Sequence, residues 1–231
     1  MIYRLGELFC GPGGIGWGAT NADIGDDNYR IVHQWANDYD ESTCETYRHN
    51  ICPNAPETVY HGDIRTFDMS QLAPIDALAF GFPCNDYSVV GEQKGMNGTF
   101  GPLYSYGVKA LKLFKPMWFL AENVGGLRSA NEGKALKKIL NELRGAGYTI
   151  TPHLYKFEDY GIPQARHRLI IVGIRNDIDV EFKEIVFTVV EITIFIESSP
   201  LIFHILVICQ QKQLRIMRQC KCKLSLGLHS F

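Results

Sequence analysis

The sequence predicts an α/β fold built on a doubly wound, mostly parallel sheet, and three observations point there. From Tyr3 to about Arg175, short apolar runs alternate with amphipathic stretches, as they do where helices connect neighbouring parallel strands. Residues 168–174 form a nearly continuous apolar run, the mark of a strand buried on both faces. The chain has 231 residues, 46% hydrophobic and 21% charged, which is room for one sizeable domain or one domain plus part of another. The same composition excludes disordered, collagen-like and fibrous chains. A net charge of −2 excludes a strongly cationic nucleic-acid binder but leaves open a locally basic cleft.

A parallel sheet places ligand sites beyond the carboxyl ends of its strands, so each element is read together with the turn that follows it. Strand 3–9 runs into Phe9-Cys10-Gly11-Pro12-Gly13-Gly14-Ile15-Gly16, and a helix over about 14–22 follows. Glycines permit a sharp turn and let a ligand approach the helix N-terminus. Gly11-x-Gly13-x-x-Gly16 formally fits a dinucleotide fingerprint, although a merely tight turn would match equally well. Strand 30–36 leads to Asn37-Asp38-Tyr39-Asp40 and a helix over 40–49. Asp38 stands where a ribose would be hydrogen-bonded and Tyr39 where an adenine face would be covered, but Asp38 would equally serve as a helix cap. Strand 58–61 ends at Gly62-Asp63-Ile64, a carboxylate with an apolar neighbour, or simply a turn. Together the three ends suggest an adenosine-bearing cofactor.

Strand 75–80 runs into Gly81-Phe82-Pro83-Cys84. A cysteine held behind a proline at the ligand edge is placed as a nucleophile, whereas cysteines in general are more often small buried hydrophobes. The glycine-rich stretch 91–102 has the composition of a mobile lid and precedes a helix over 103–114. Strand 117–121 gives way to Glu122-Asn123-Val124, a carboxylate whose apolar surroundings would raise its proton affinity. Leu136, Ile139, Leu140 and Leu143 mark a helix over 132–145, stopped by Gly145 and Gly147. Strand 148–155 follows. Before strand 168–174, alternation puts Gln164, Arg166 and Arg168 on one face of an extended chain, facing an anionic or carbonyl-bearing partner or forming a solvated basic edge.

Seven cysteines (10, 44, 52, 84, 209, 220 and 222) make an odd number without a framework, and the N-terminus carries no charged leader before an apolar stretch. Reduced thiols in a cytoplasmic protein are expected. Cys220-Lys221-Cys222 is too sparse for a four-ligand zinc site, so no metal is expected. The apolar stretch 185–209 contains Glu191, Glu197, Pro200 and His204, which argues against a membrane span. Charge changes near 185: residues 1–184 hold 18 basic and 23 acidic side chains, residues 185–231 hold 5 and 2.

Phe9-x-Gly11-x-Gly13-Gly14, Pro83-Cys84, Glu122-Asn123-Val124 and Gln164-x-Arg166-x-Arg168, in this order and spacing, resemble the DNA (cytosine-5-)methyltransferases over roughly residues 3–184. The resemblance implies a sheet of the S-adenosylmethionine-dependent methyltransferase type with an antiparallel last strand. It implies S-adenosylmethionine as cofactor, double-stranded DNA as partner, and membership of a restriction-modification system. Phe9, Gly11, Gly13 and Gly14 would cradle the methionine part, with Pro83 bordering the cofactor. Asp38 would bind the ribose, Tyr39 and Ile64 sandwich the adenine, and Asp63 accept from its amino group. Cys84 would be the nucleophile, Glu122 would act at ring nitrogen 3, and Arg166 would bind the carbonyl oxygen at position 2 and position Glu122. Gln164 and Arg168 complete the catalytic set.

Two departures stand beside the resemblance. Asn85 follows Pro83-Cys84 where most members carry Gln. Residues 185–231 show neither the long target-recognition region nor the closing motifs of the family. The expected organisation is therefore a catalytic and cofactor-binding domain over 1–184 and an unrelated tail over 185–231. A truncated or frameshifted frame would give this, as would half of a split enzyme whose partner chain supplies the missing parts. Cytosine-5 methylation of RNA and an inactive remnant or regulatory subunit are the alternatives, and a dinucleotide oxidoreductase follows from the glycine turn alone.

Overall fold

The computed structural model describes residues 1–22, 28–83 and 103–183. The expectations placed on Cys84, Asn85, the stretch 91–102 and residues 185–231 lie outside the described residues. The elements run β1 (Ile2–Leu8), α1 (Gly14–Thr20), β2 (Arg30–Asp38), α2 (Glu41–Asn50), β3 (Val59–His61), β4 (Ala77–Gly81), α3 (Tyr104–Phe114), β5 (Trp118–Val124), α4 (Lys134–Gly145), β6 (Tyr148–Lys156) and β7 (His167–Arg175).

Among the described residues the strands form one sheet in the order β3-β2-β1-β4-β5-β7-β6. Pairings from β3 across to β5 are parallel, and β7 lies antiparallel between β5 and β6. The expected doubly wound sheet with a reversed last strand is the one observed. The chain order reverses between β1 and β4, and such a switch point opens a crevice at the carboxyl edge.

Both faces of the sheet are covered, which is why its central strands read as apolar runs. Alternation along β4 sends Leu78 and Phe80 to one face and Ala77 and Ala79 to the other, all buried. The first face packs against α3 and α4, whose Leu111, Ile139 and Leu143 are fully buried beside Phe80 and Phe119. The second gathers Tyr3, Leu5, Trp118, Leu120, Ile170 and Val172 against Ala19 of α1 and Phe182. A smaller cluster of Cys10, Cys44, Tyr47 and Cys52 seats α2 on β2.

Several boundaries differ from expectation by at most a few residues, and two of them have local reasons. Helix α1 stops at Thr20 because the Thr20 hydroxyl and the Asn21 amide donate to the carbonyls of Gly16 and Trp17, an alternative to further helix. Strand β5 continues through Val124 because β7 pairs along its whole length, down to Val124 opposite Arg168. Glu122 thus belongs to a strand rather than to the turn beyond it. No helix among the described residues is long and apolar enough to cross a membrane.

Candidate active site at the carboxyl edge of the sheet

Strand register gathers the turns. Leu8 lies opposite both Asn37 and Phe80, Asp38 opposite His61, and Gly81 opposite Glu122, so the ends of β1 to β4 and the Glu122 row share one edge. In the first turn Phe9, Gly11 and Gly13 have φ of 55°, 53° and 94°. Left-handed backbone at Phe9, which has a side chain, is uncommon and marks a turn held by its surroundings. A Cβ on Gly11 or Gly14 would meet nothing within 4 Å, whereas one on Gly13 would lie 2.9 Å from Ile51 and 3.0 Å from Tyr47. One side of the turn is open and the other is walled by α2.

Asp38 joins the first two strand ends: its carboxylate accepts the Gly11 N–H at 2.7 Å and the Asp40 N–H at 3.0 Å. Asp40, not Asp38, caps α2, accepting the Thr43 N–H at 2.9 Å. Asp38 is therefore not consumed as a helix cap: its Oδ1 also meets the Thr43 hydroxyl at 3.4 Å, and its Oδ2 has capacity for a donor besides the Gly11 N–H. Tyr39 beside it is 73% exposed, an open ring face. Asp63 is gripped by Arg65, whose guanidinium lies 2.5 Å away and holds the carboxyl below the ordinary range. Ile64 is buried in the main core, which leaves it little free surface for an adenine. Of the two residues expected to sandwich that ring, Tyr39 is the available one.

The buried polar side chains of the described residues are Glu7, Asn37 and Asn123, and all three sit at this edge. A buried polar group must be satisfied, and here each holds a turn in place. Asn37 donates to the carbonyls of Tyr60 (2.9 Å) and Gly62 (3.1 Å), tying down the turn that carries Asp63. Asn123 donates to the Phe82 carbonyl at 3.1 Å, fixing the segment that enters Pro83, and its own oxygen accepts the Val124 N–H at 2.8 Å. Glu7 reaches beneath the glycine turn to Tyr47 of α2. Sequence reading gave none of the three a role of its own. No signal in the sequence sets them apart: Asn37 stands beside Asp38 and Asn123 beside Glu122, and their burial depends on the partner strands.

Glu122 and the arginines meet where β4, β5 and β7 converge. Arg168 Nε lies 2.6 Å from Glu122 Oε1, with side-chain exposures of 19% and 26%, so the ion pair is largely shielded from water. Antiparallel register explains the contact: Glu122 opposes Ile170 and Val124 opposes Arg168, which puts 122 and 168 on one face as diagonal neighbours. Burial raises the proton affinity of Glu122, and Arg168 and then Arg166 oppose it. Arg168 makes the direct contact that the resemblance assigns to Arg166. Gln164 lies exposed in the turn ahead of β7, its N–H on the Ile162 carbonyl at 2.8 Å. A Cβ on Gly81 would stand 3.5 Å from Glu122 Oε2 and 4.0 Å from the Phe9 carbonyl, so only a backbone separates the glycine turn from this carboxylate. Pro83 is half-buried two residues farther on.

The described cysteines, Cys10, Cys44 and Cys52, are free and buried, and burial pushes all three thiols up, Cys44 to about 11. Thiols kept protonated are inert. Among the described residues no group of three or more His, Cys, Asp or Glu side chains is arranged to hold a metal.

A family model described as C-5 cytosine-specific DNA methylase matches residues 3–207, running past the change of charge at 185. The chain belongs to the C-5 cytosine-specific DNA methylase family. Among its curated relatives, the type II methyltransferase M.BbvI of Brevibacillus brevis is 58% identical over 195 residues, covering 79% of this chain and 52% of that protein. The type II methyltransferase M.NgoFVII of Neisseria gonorrhoeae is 34% identical over 182 residues, covering 78% and 46%. This methylase chain thus spans about half the length of the curated relatives it matches. Solved structures agree in fold: Entamoeba histolytica methyltransferase EhMeth superposes with a TM-score of 0.60 at 21% identity, over 81% of this chain and 56% of that one. The S. pombe Dnmt2 methyltransferase gives 0.58 at 20% identity, over 79% and 52%.

Proposed function

We propose that this chain carries the catalytic and cofactor-binding portion, residues 1–184, of a type II restriction-modification methyltransferase acting on carbon 5 of cytosine in double-stranded DNA. The observation that carries the reading is the shielded Glu122–Arg168 pair facing the turn that leads through Pro83 to Cys84. S-Adenosylmethionine would supply an electrophilic methyl group. The residues at the edge suit it: open space at Gly11 and Gly14 for the methionine part, carboxylates at Asp38 and Asp63 for ribose and amino group, and the bare ring of Tyr39 for the adenine.

Carbon 5 of cytosine is a weak nucleophile and is stacked inside the duplex, so the base must first leave the helix, at a cost of about a few kcal/mol. The Cys84 thiolate then forms a bond to carbon 6, and the ring becomes enamine-like at carbon 5. Addition places negative charge on the ring, and Glu122, biased by burial toward the protonated form, donates to ring nitrogen 3. Arg168 orients Glu122 and, with Arg166, faces the carbonyl oxygen at position 2. After methylation the carbon-5 proton is lost and Cys84 is expelled. Serine at 84 would be a far weaker nucleophile near neutral pH.

Specificity is a separate matter. Each good bidentate base contact contributes about 1–3 kcal/mol of discrimination, and the proposed source of such contacts is a partner chain bearing the recognition and closing motifs. The test is transfer of labelled methyl from S-adenosylmethionine to mixed-sequence duplex DNA and, separately, to transfer RNA. The purified chain is expected to label duplex cytosine weakly and without sequence preference. Labelling of RNA above DNA would overturn the substrate assignment, and strong site-specific labelling by this chain alone would overturn the need for a partner.

A further inference from the structure

Beneath the glycine turn lies a chain of polar side chains that the proposed chemistry leaves unused. Glu7, 1% exposed on β1, is hydrogen-bonded through Oε2 to the Tyr47 hydroxyl of α2 and accepts the Gly16 N–H of α1. The Tyr47 hydroxyl lies 3.1 Å from Nδ1 of His33 on β2, and His33 Nε2 lies 2.8 Å from the Thr58 hydroxyl, which donates to the Ala55 carbonyl at 2.6 Å. The contacts with the first turn of α1, directly after the glycine turn, are tight: a Cβ on Gly16 would stand 2.3 Å from Glu7 Oε2 and 2.7 Å from the Tyr47 oxygen.

Counting protons along this chain fixes its direction. Thr58 spends its one proton on Ala55, so it must accept from His33 Nε2–H. Burial pushes His33 down to about 4, so near neutral pH the ring carries a single proton, and Nδ1 is an acceptor that needs Tyr47 to donate to it. The Tyr47 oxygen must then accept from Glu7. All the bonds are satisfied together only when one extra proton sits on the Glu7–Tyr47–His33 trio. Without that proton one of the four links is lost: either Tyr47 bonds only one of Glu7 and His33, or the relay reverses and the Thr58 hydroxyl turns from Ala55, whose carbonyl keeps the Thr58 N–H at 3.2 Å.

We propose that Glu7, Tyr47 and His33 share one proton that fastens the glycine turn to β2 and α2, and that holding this proton strengthens S-adenosylmethionine binding. The second half rests on the cofactor reading above. Glu7 faces the Gly16 N–H from α1, Tyr47 from α2, the Cys10 thiol of the turn and the Cys52 thiol after α2; the thiols and the phenol are all held neutral by burial. Burial raises Glu7 from 4.5 to about 7, so the proton is present below that pH and is lost as the pH rises through it.

The test is calorimetric titration with S-adenosylmethionine from about pH 6 to about pH 8.5, with urea unfolding in parallel, on wild type, Glu7→Gln and Tyr47→Phe. Wild-type affinity is expected to fall about fivefold or more across that range, an ordinary size for coupling between two sites. Glu7→Gln keeps a permanent donor to Tyr47, so its affinity stays near the wild-type acid value at every pH. Tyr47→Phe, which cuts the chain in the middle, binds more weakly than wild type at about pH 6. A wild-type affinity indifferent to pH, or a Glu7→Gln variant that keeps the wild-type profile, would overturn the proposal. If S-adenosylmethionine binds none of the three, the cofactor reading fails, while the shared proton is upheld by a stability gap in favour of Glu7→Gln that widens between pH 4.5 and about 7. Absence of that gap sinks the shared proton as well.

Discussion

At Glu122 burial favours the neutral carboxyl while Arg168 and Arg166 favour the carboxylate, and burial is the larger influence. A group balanced this way can hold a ring nitrogen and give up a proton within one turnover. Glu122→Gln should lower the methyl-transfer rate by about 10²–10⁴ in a labelled-methyl assay, the ordinary contribution of a positioned acid. Arg168→Ala removes the direct ion pair and should cost about 10²–10³ in kcat, with the smaller loss at Arg166→Ala. Removing Arg168 also raises the proton affinity of Glu122, so the alkaline limb of the pH–rate profile should move to higher pH. The sequence already showed the carboxylate and both guanidiniums. Alternation put Arg166 and Arg168 on one face and could not rank them, because the ranking depends on which residue of β7 stands opposite Val124.

Turns and strands show a similar division between what was legible and what was not. The glycines at 11, 13 and 14 announced a sharp turn, and the structure supplies left-handed backbone at 11 and 13 with open space at 11 and 14. Gly13→Ala combines strained backbone with a Cβ 2.9 Å from Ile51, and it should destabilise the fold by about 1–2 kcal/mol or more in denaturant unfolding while weakening cofactor binding. The supports behind the turns were not legible, since a buried asparagine is indistinguishable from a surface one until its partner strand is known. Asn123→Ala leaves the Phe82 carbonyl without its donor and should cost about 1–3 kcal/mol of stability, read from the urea midpoint. The same variant loosens the segment carrying Pro83, so the rate of covalent capture at Cys84 should fall more than cofactor affinity does.

Across the fold, the mostly parallel sheet and its two-faced burial were legible in apolar runs alternating with amphipathic stretches, because a strand covered on both sides has no polar face to show. The reversed last strand was implied only by the family resemblance. Close packing between strands was hidden. Gly173 on β7 lies under Phe119 of β5, and a Cβ added there would fall 2.0 Å from the ring, so Gly173→Ala should overpack the sheet and cost about 1–3 kcal/mol in thermal unfolding. Among the described residues the carboxyl edge collects the buried polar side chains Glu7, Asn37 and Asn123 and the left-handed turn at Phe9, Gly11 and Gly13, while the opposite edge carries contacts such as the exposed Arg4–Asp76 pair. That asymmetry is what a catalytic edge on a parallel sheet requires.

The central claim is that sulfur at position 84 bonds to the base. Duplex DNA containing 5-fluorocytosine, whose substituent cannot leave as a proton does, should be captured covalently by the wild-type chain together with the proposed partner chain, and only when S-adenosylmethionine is present. Denaturing gels should show the shifted band for wild type and none for Cys84→Ala. A band that survives in Cys84→Ala, or no band from wild type in the presence of cofactor and partner, would contradict the account.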